Sequence, residues 1–312
     1  IVIAEPEIHG LADGATSDAV VELVQREIAG ERSFKDLVFD EIPDYLKRAR
    51  FHVEVIVGLS NRERIGILAR GRNTSRQVKS WSLADFQGAF DWMRDILERP
   101  NSKFRGRVGY EENAGTAVTI LDVLSLMTLF SQEWDDKAAG LKRKAPTVAY
   151  SSKGRMDARL QDQKLAPYYT ALGPILEDIL RLHDYVYARF EDGYKLAFGG
   201  GKLGRRRGVE SRPGNPVELP LTGAKSNYEI PNGYIFPLLA AFRALVTYDA
   251  DGRAEWKANP FKFFDDHGAE LISVLIEQIE GSGGSPQMAG KSRAVYTSLH
   301  NQVKILLTEE QP

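Results

Sequence analysis

Residues 117–130 form the longest apolar stretch of the chain, broken only by Thr119, Asp122, Ser125 and Thr128. With residue 116 added, the segment is apolar nearly all round as a helix, so it has no face to turn to water and needs packing on every side. It also falls short of the ~20 residues that a membrane span requires. The expectation is therefore a helix at the centre of a larger helical region in a chain that binds no membrane. The other long apolar stripes, over 83–98, 172–190, 234–246, 268–279 and 291–307, have helical period and are longer than strands usually run. Most of the mass is expected to be α.

The first eighty residues read differently. Ile1-Val2-Ile3-Ala4 is β-branched and short, and a turn at Leu11-Ala12-Asp13-Gly14 leads into a helix over 16–29 with apolar residues at Ala19, Val20, Leu23, Val24 and Ile28. Residues 51–59 alternate and then become apolar, as a strand does, and Ser60 with Glu63 has capping-box spacing for a second helix. Strand, helix, strand, helix predicts a small mixed sheet. The fold class expected is α+β, mostly helical, with an α/β region at 1–82 packed with a helical region at 83–312. Between 197 and 227 lie seven glycines and three prolines, which predicts a long flexible loop or mobile linker there.

Composition narrows the function classes. The 312 residues are 43% hydrophobic, enough for one large domain or two modest ones with real cores, which excludes disorder as the main state. A net charge of -2, from 41 basic and 43 acidic residues, gives no general coat for nucleic acid, so such binding has to be local. The absence of Cys removes disulfides, thiolate metal sites and thiol catalysis, and fits a cytoplasmic location. The chain opens at Ile1 without a basic-then-apolar signal region and is read as a fragment or a processed chain.

Local anion chemistry has three candidate places. The turn Asp13-Gly14-Ala15-Thr16-Ser17 opens a helix and presents free backbone N–H groups, although the same residues make an ordinary capped helix start. Arg70, Arg72, Asn73, Arg76 and Gln77 fall within eight residues and donate to phosphates or base edges, or else form a solvated helix end. Lys202 with Arg205-Arg206-Arg207 makes a cationic patch in the Gly-rich segment, suited to a nucleic-acid backbone or simply to solvent. Gly199-Gly200-Gly201-Lys202-Leu203-Gly204 is not a P-loop, because it lacks the Gly-x-x-x-x-Gly-Lys frame and the following Ser or Thr.

Enzymatic patterns are sparser. Glu255-Trp256-Lys257 has the Glu-x-Lys form of metal-dependent nucleases, with Asp249 and Asp251 just upstream as ligands for a hard cation such as Mg²⁺. Asp249-Ala250-Asp251-Gly252 is equally a turn sequence. The catalytic set of that reading is Asp251, Glu255 and Lys257. Asp265-Asp266-His267-Gly268 reads as helix-start capping, and the five His form no HxxxH or HxH pair.

Residues 8–20, Val53-Glu54-Val55-Ile56-Val57 and Arg72-Asn73-Thr74-Ser75-Arg76-Gln77-Val78 together resemble the abortive infection phage resistance (AIPR) family. Downstream, Ala149-Tyr150-Ser151-Ser152-Lys153-Gly154, residues 172–180, and 228–237 with Ala241-Phe242-Arg243-Ala244 are similar to later blocks of such proteins. The resemblance implies a bacterial or phage-related defence protein, and with the donors clustered at Arg70, Arg72, Asn73, Arg76 and Gln77 the expectation is one that recognises nucleic acid or a nucleotide. An alternative is a non-catalytic module that docks a protein partner in a defence complex. The order of elements at the start also resembles the ParB and sulfiredoxin-like fold, in which Asp-Gly-x-x-Arg opens a helix over a nucleotide phosphate. This chain has Thr16 or Ser17 where that Arg would stand, which removes a charge-assisted contact and speaks against nucleotide hydrolysis.

Overall fold

A computed structural model describes residues 79–112, 114–135, 145–281 and 283–309. Chain contacts divide into two units, Ile1–Lys79 and Ser80–Pro312, and the elements described belong to the second. The strands and helices expected before residue 79, and with them the ParB-like sheet, lie outside the described residues.

The order of elements is α1 (Ser80–Phe86), α2 (Asp91–Leu97), β1 (Val108–Gly109), β2 (Val118–Thr119) and α3 (Ile120–Phe130). Three short helices come next, α4 (Thr147–Ser151), α5 (Met156–Gln161) and α6 (Ala166–Thr170), and then the long α7 (Leu176–Ala197). After β3 (Glu210–Ser211), β4 (Val217–Glu218), β5 (Lys225–Ser226) and β6 (Tyr228–Glu229) come α8 (Asn232–Ala241), β7 (Val246–Tyr248) and β8 (Ala254–Trp256). The chain continues through α9 (Pro260–Gly281), α10 (Pro286–Ala289) and α11 (Arg293–Glu309). The described unit is thus mostly helical α+β. Its strands form two-stranded pairs, β1 with β2 parallel, and β3 with β6, β4 with β5 and β7 with β8 antiparallel.

Two helices occupy the centre. Every residue of α3 is buried except Asp122, and every residue of α8 from Gly233 onward is buried. They touch each other, and α7 packs on both. The longer α7 and α9 lie along one another, and α11 closes over α8 and α9. Phe242 holds the junction, with its ring edge-on to Phe263 at 5.9 Å and 6.1 Å from Phe264. The all-apolar character of residues 117–130 is therefore the mark of a central helix, as its lack of a polar face requires.

Boundaries differ from the periodicity where caps and glycines intervene. The stripe over 83–98 is two helices, because Gly88 takes φ 80° and its N–H returns to the Asp85 carbonyl, ending α1. Helix α3 starts at Ile120 rather than 116, where Asp122 Oδ2 accepts from Thr119 N–H (3.0 Å) and Thr119 Oγ1 (2.7 Å). Helix α8 stops at Ala241, and residues 242–245 tighten into a 3₁₀ turn before β7. The Asp265-Asp266-His267 run lies inside α9, not at its start. The start is capped instead by Asn259, whose Oδ1 accepts from Phe261 N–H at 3.0 Å and Lys262 N–H at 3.2 Å.

Residues 197–227 contain β3, β4 and β5, and they bury Leu203, Val209, Leu219 and Leu221. Their anchor is Asp184 on α7, fully buried, whose Oδ2 accepts from the Thr222 N–H at 2.7 Å and the Thr222 hydroxyl at 2.8 Å. Its Oδ1 lies 2.8 Å from His183 Nδ1. Downstream, Ile230 N–H donates to the Tyr187 hydroxyl at 2.6 Å, so α7 holds both ends of the excursion.

Candidate functional site

Asp13, Gly14, Thr16, Ser17, Arg70, Arg72, Asn73, Arg76 and Gln77 lie outside the described residues. The remaining expected phosphate contacts sit on one turn. Leu203 is buried and begins a 3₁₀ turn, Leu203–Arg205, that fixes the backbone of the basic run. Arg206 is committed to the fold. It donates to the Tyr194 hydroxyl at 2.7 Å, pairs with Glu280, and lies 5.4 Å from the ring centres of both Tyr194 and Phe198. The backbone carbonyl of Arg207 accepts from the Tyr234 hydroxyl at 3.1 Å. Lys202, Arg205 and Arg207 are exposed and make no ion pair among the described residues. Three cations are thus displayed on a braced support, with the fourth serving as the brace.

The expected nuclease set is placed on the β7–β8 hairpin. Asp249 closes its turn by accepting from Asp251 N–H at 2.9 Å and Arg253 N–H at 2.8 Å, with Gly252 at φ 75°. Asp251 is exposed and 3.8 Å from the Arg253 guanidinium. Glu255 is exposed opposite Thr247, and the Lys257 ammonium donates to the Ala244 carbonyl at 2.9 Å. No group of three or more acidic, His or Cys side chains suited to a metal ion occurs among the described residues.

A second place has no motif that marks it in the sequence. A cleft of about 260 Å³ runs beside α11, whose residues Arg293, Tyr296, Thr297, His300, Asn301 and Lys304 line one wall at helical spacing. Trp134, Asp135, Ala145 and Pro146 line it from the other side, with Ala240 and Arg243 between. Arg243 is buried and donates from Nε to Asp135 Oδ2 at 2.8 Å. His300 is 6% exposed, with the Ala241 backbone carbonyl beside its ring but no partner in good hydrogen-bond geometry at either ring nitrogen. Its nearest anion is Asp135, at 3.9 Å from Nε2 to Oδ1. Burial, and after it the Arg243 guanidinium, pushes the imidazole pKa down to about 4, with the Asp135 carboxylate opposing them. The neighbouring Tyr248 is pushed up to about 12, chiefly by burial and secondarily by Asp135.

Behind the cleft, a buried polar layer holds Trp134 in place. Its indole N–H donates to the Thr128 carbonyl at 2.8 Å, and the Arg159 guanidinium lies 5.3 Å from its ring centre. Arg159 pairs with the fully buried side chain of Glu133 and donates to the Tyr169 hydroxyl at 2.9 Å. Burial raises the Glu133 pKa despite that guanidinium. A wider groove of about 440 Å³ lies between Trp92, Ile96, Thr170 and Pro174, but its charged groups Arg99 and Glu177 neutralise each other at 2.6 Å.

The sequence did hold a trace of the cleft. Arg243 is the one charged residue in the run 233–246, and a lone charge in such a run has to find a buried partner. On α11, Arg293, Thr297, His300, Asn301 and Lys304 form a polar stripe beside the apolar one at Val295, Leu299, Val303 and Leu306. The partner itself, Asp135, is 108 residues away and carries no local signal.

Comparison of the chain with family models, with curated proteins and with solved structures gives no match.

Proposed function

We propose that this chain recognises a nucleic acid or a nucleotide as part of bacterial anti-phage defence in the cytoplasm. The observation that carries the reading is the trio Lys202, Arg205 and Arg207, exposed and without ion pairs among the described residues, on a turn anchored by Leu203 and Arg206. Cations held on a fixed backbone meet a phosphate chain with less loss of freedom than cations on a loose one, and each phosphate contact releases counterions. The donors Arg70, Arg72, Asn73, Arg76 and Gln77 would add to the same chemistry. The defence role rests on the AIPR resemblance. Among the described residues no helix is long and apolar enough to cross a membrane.

The test is binding to single- and double-stranded DNA and RNA, and to a nucleotide panel, across a salt series. Wild-type protein is compared with K202Q/R205Q/R207Q. Steep salt dependence is expected, with the slope falling by roughly 0.9 for each B-DNA phosphate contact removed. No binding at low salt, or binding indifferent to the three substitutions and to salt, would overturn the reading and favour a protein partner. Scoring cleavage in the same tubes with and without Mg²⁺ decides the nuclease alternative, since E255Q abolishes any cleavage that uses the hairpin.

A further inference from the structure

We infer that the cleft between α11 and the Trp134–Asp135 wall is a second binding site, built for a small phosphate-bearing ligand such as a phosphomonoester. Three observations converge on it. Arg243, Arg293 and Lys304 line the cleft with one carboxylate, Asp135, which is paired with Arg243, so the charged groups lining it leave two positive charges uncompensated. Arg293 and Lys304 make no ion pair among the described residues, whereas half-buried Arg159 is paired with its own carboxylate. His300 places a buried ring on this space whose polar neighbours besides Arg243 and Lys304 are the Ala241 backbone carbonyl and Asp135 at 3.9 Å, neither in good hydrogen-bond geometry, so its N–H can still donate to a ligand oxygen.

The shape of the ligand is set by where the donors stand. Arg293, His300 and Lys304 stand on the α11 wall and Arg243 lies across from them just beyond α8, so donors reach the cleft from two elements. A tetrahedral oxyanion can meet them together, while a planar carboxylate offers its two oxygens in one plane. At about 260 Å³ the cleft is smaller than the ~300–1,000 Å³ usual for drug-sized ligands, which limits the body carried by the phosphate to a small group beside Trp134 and Tyr296. The Tyr296 hydroxyl already donates to the Gly290 carbonyl at 3.2 Å, so that residue offers its ring. Asn301 and Thr297, exposed on the same wall, add neutral donors.

An arriving anion also changes the balance around His300. The groups facing the imidazole are Asp135, Arg243 and Lys304, with Tyr248 and Arg293 nearby, and a bound dianion adds two negative charges to that set. Binding then takes up a proton onto His300, which converts its ring to two donors. Sulfate separates this from the ligand's own titration, because it stays dianionic from pH 8 to pH 5.

The experiment is calorimetric titration of the whole chain with inorganic phosphate, sulfate and phenyl phosphate at low ionic strength. Saturable one-to-one binding is expected, with phenyl phosphate the tightest and sulfate tightening as pH falls from 8 to 5. R293Q and K304Q, both at exposed positions that leave the core alone, should each weaken phosphate roughly tenfold or more, the loss of one charge-assisted hydrogen bond. K202Q/R205Q/R207Q should leave phosphate binding unchanged, and R293Q/K304Q should leave nucleic-acid binding unchanged, so this site and the basic turn stand or fall separately. Absence of saturation at tens of millimolar phosphate, or unchanged affinity in R293Q and K304Q with an unchanged melting temperature, would overturn the inference. Loss of phosphate binding in the basic-turn variant alone would do the same.

Discussion

Acidification below neutral pH should destabilise this protein through His300. The imidazole has a folded pKa of about 4 against 6.5 in the unfolded chain, so between those values the unfolded state binds the proton and the folded state does not. Stability contributed by the neutral ring is complete above pH 6.5 and is lost as pH falls toward 4. The full span, 2.5 pKa units, corresponds to about 3 kcal/mol, and about 2 kcal/mol of it is lost between pH 7 and pH 5. Urea denaturation at half-unit steps from pH 7.5 to 5 measures the loss, and H300L, which removes the titrating group and keeps an apolar body, supplies the baseline. Subtracting the two curves cancels the carboxylates common to both. A wild-type curve parallel to that of H300L would refute the reasoning, since it would mean that the ring meets water or a partner at low pH. Sulfate at saturating concentration should flatten the wild-type curve, because an anion in the cleft raises the folded pKa of the ring.

Other perturbations test the fold that carries the two sites. Asp184→Ala removes three acceptor contacts at the α7 anchor and should destabilise by about 3 kcal/mol, with loss of amide-exchange protection concentrated in residues 217–226. Asp184→Asn should recover part of both. Gly233→Ala puts a Cβ 1.9 Å from the Pro286 carbonyl oxygen, so α10 has to move off α8, at about 1–3 kcal/mol or more by thermal melting. Gly154→Ala, with nothing within 4 Å, should change stability by less than about 0.5 kcal/mol. Arg159→Met strands the buried Glu133 carboxylate and should be destabilising by about 3–5 kcal/mol at pH 7, an effect that E133Q in the same chain largely reverses.

Local pattern carried much of the architecture because the features in question are local. The helical period over 172–190, 268–279 and 291–307 places α7, α9 and α11, and the unbroken apolarity of 117–130 identifies the helix with no exposed face. The departures have equally local physics: Gly88 divides α1 from α2, Thr119 with Asp122 delays the start of α3, and Pro260 with Asn259 opens α9 a turn and more before its stripe becomes regular. The glycines and prolines of 197–227 reported the absence of long elements there, but not that Asp184 would bind the segment to α7.

The basic turn was visible in the sequence as a charge run, yet which of its members is free was not. Arg206 is taken up by Tyr194, Phe198 and Glu280, and Lys202, Arg205 and Arg207 are left to solvent, a division made by residues up to 74 positions away. The cleft is further from legibility. Its lining is assembled from α11, the end of α8 and the residues around 135 and 145, and its charges other than Arg243 have an innocent local explanation as surface residues. A one-dimensional pattern records how much of each side chain prefers water, so it can say which face of a helix is buried and where a cap belongs. It does not record which polar group a buried one will meet. That pairing depends on distance through space and on the water removed when elements close over one another, and only the packing of α11 against α8 brings Arg243, Asp135 and His300 together.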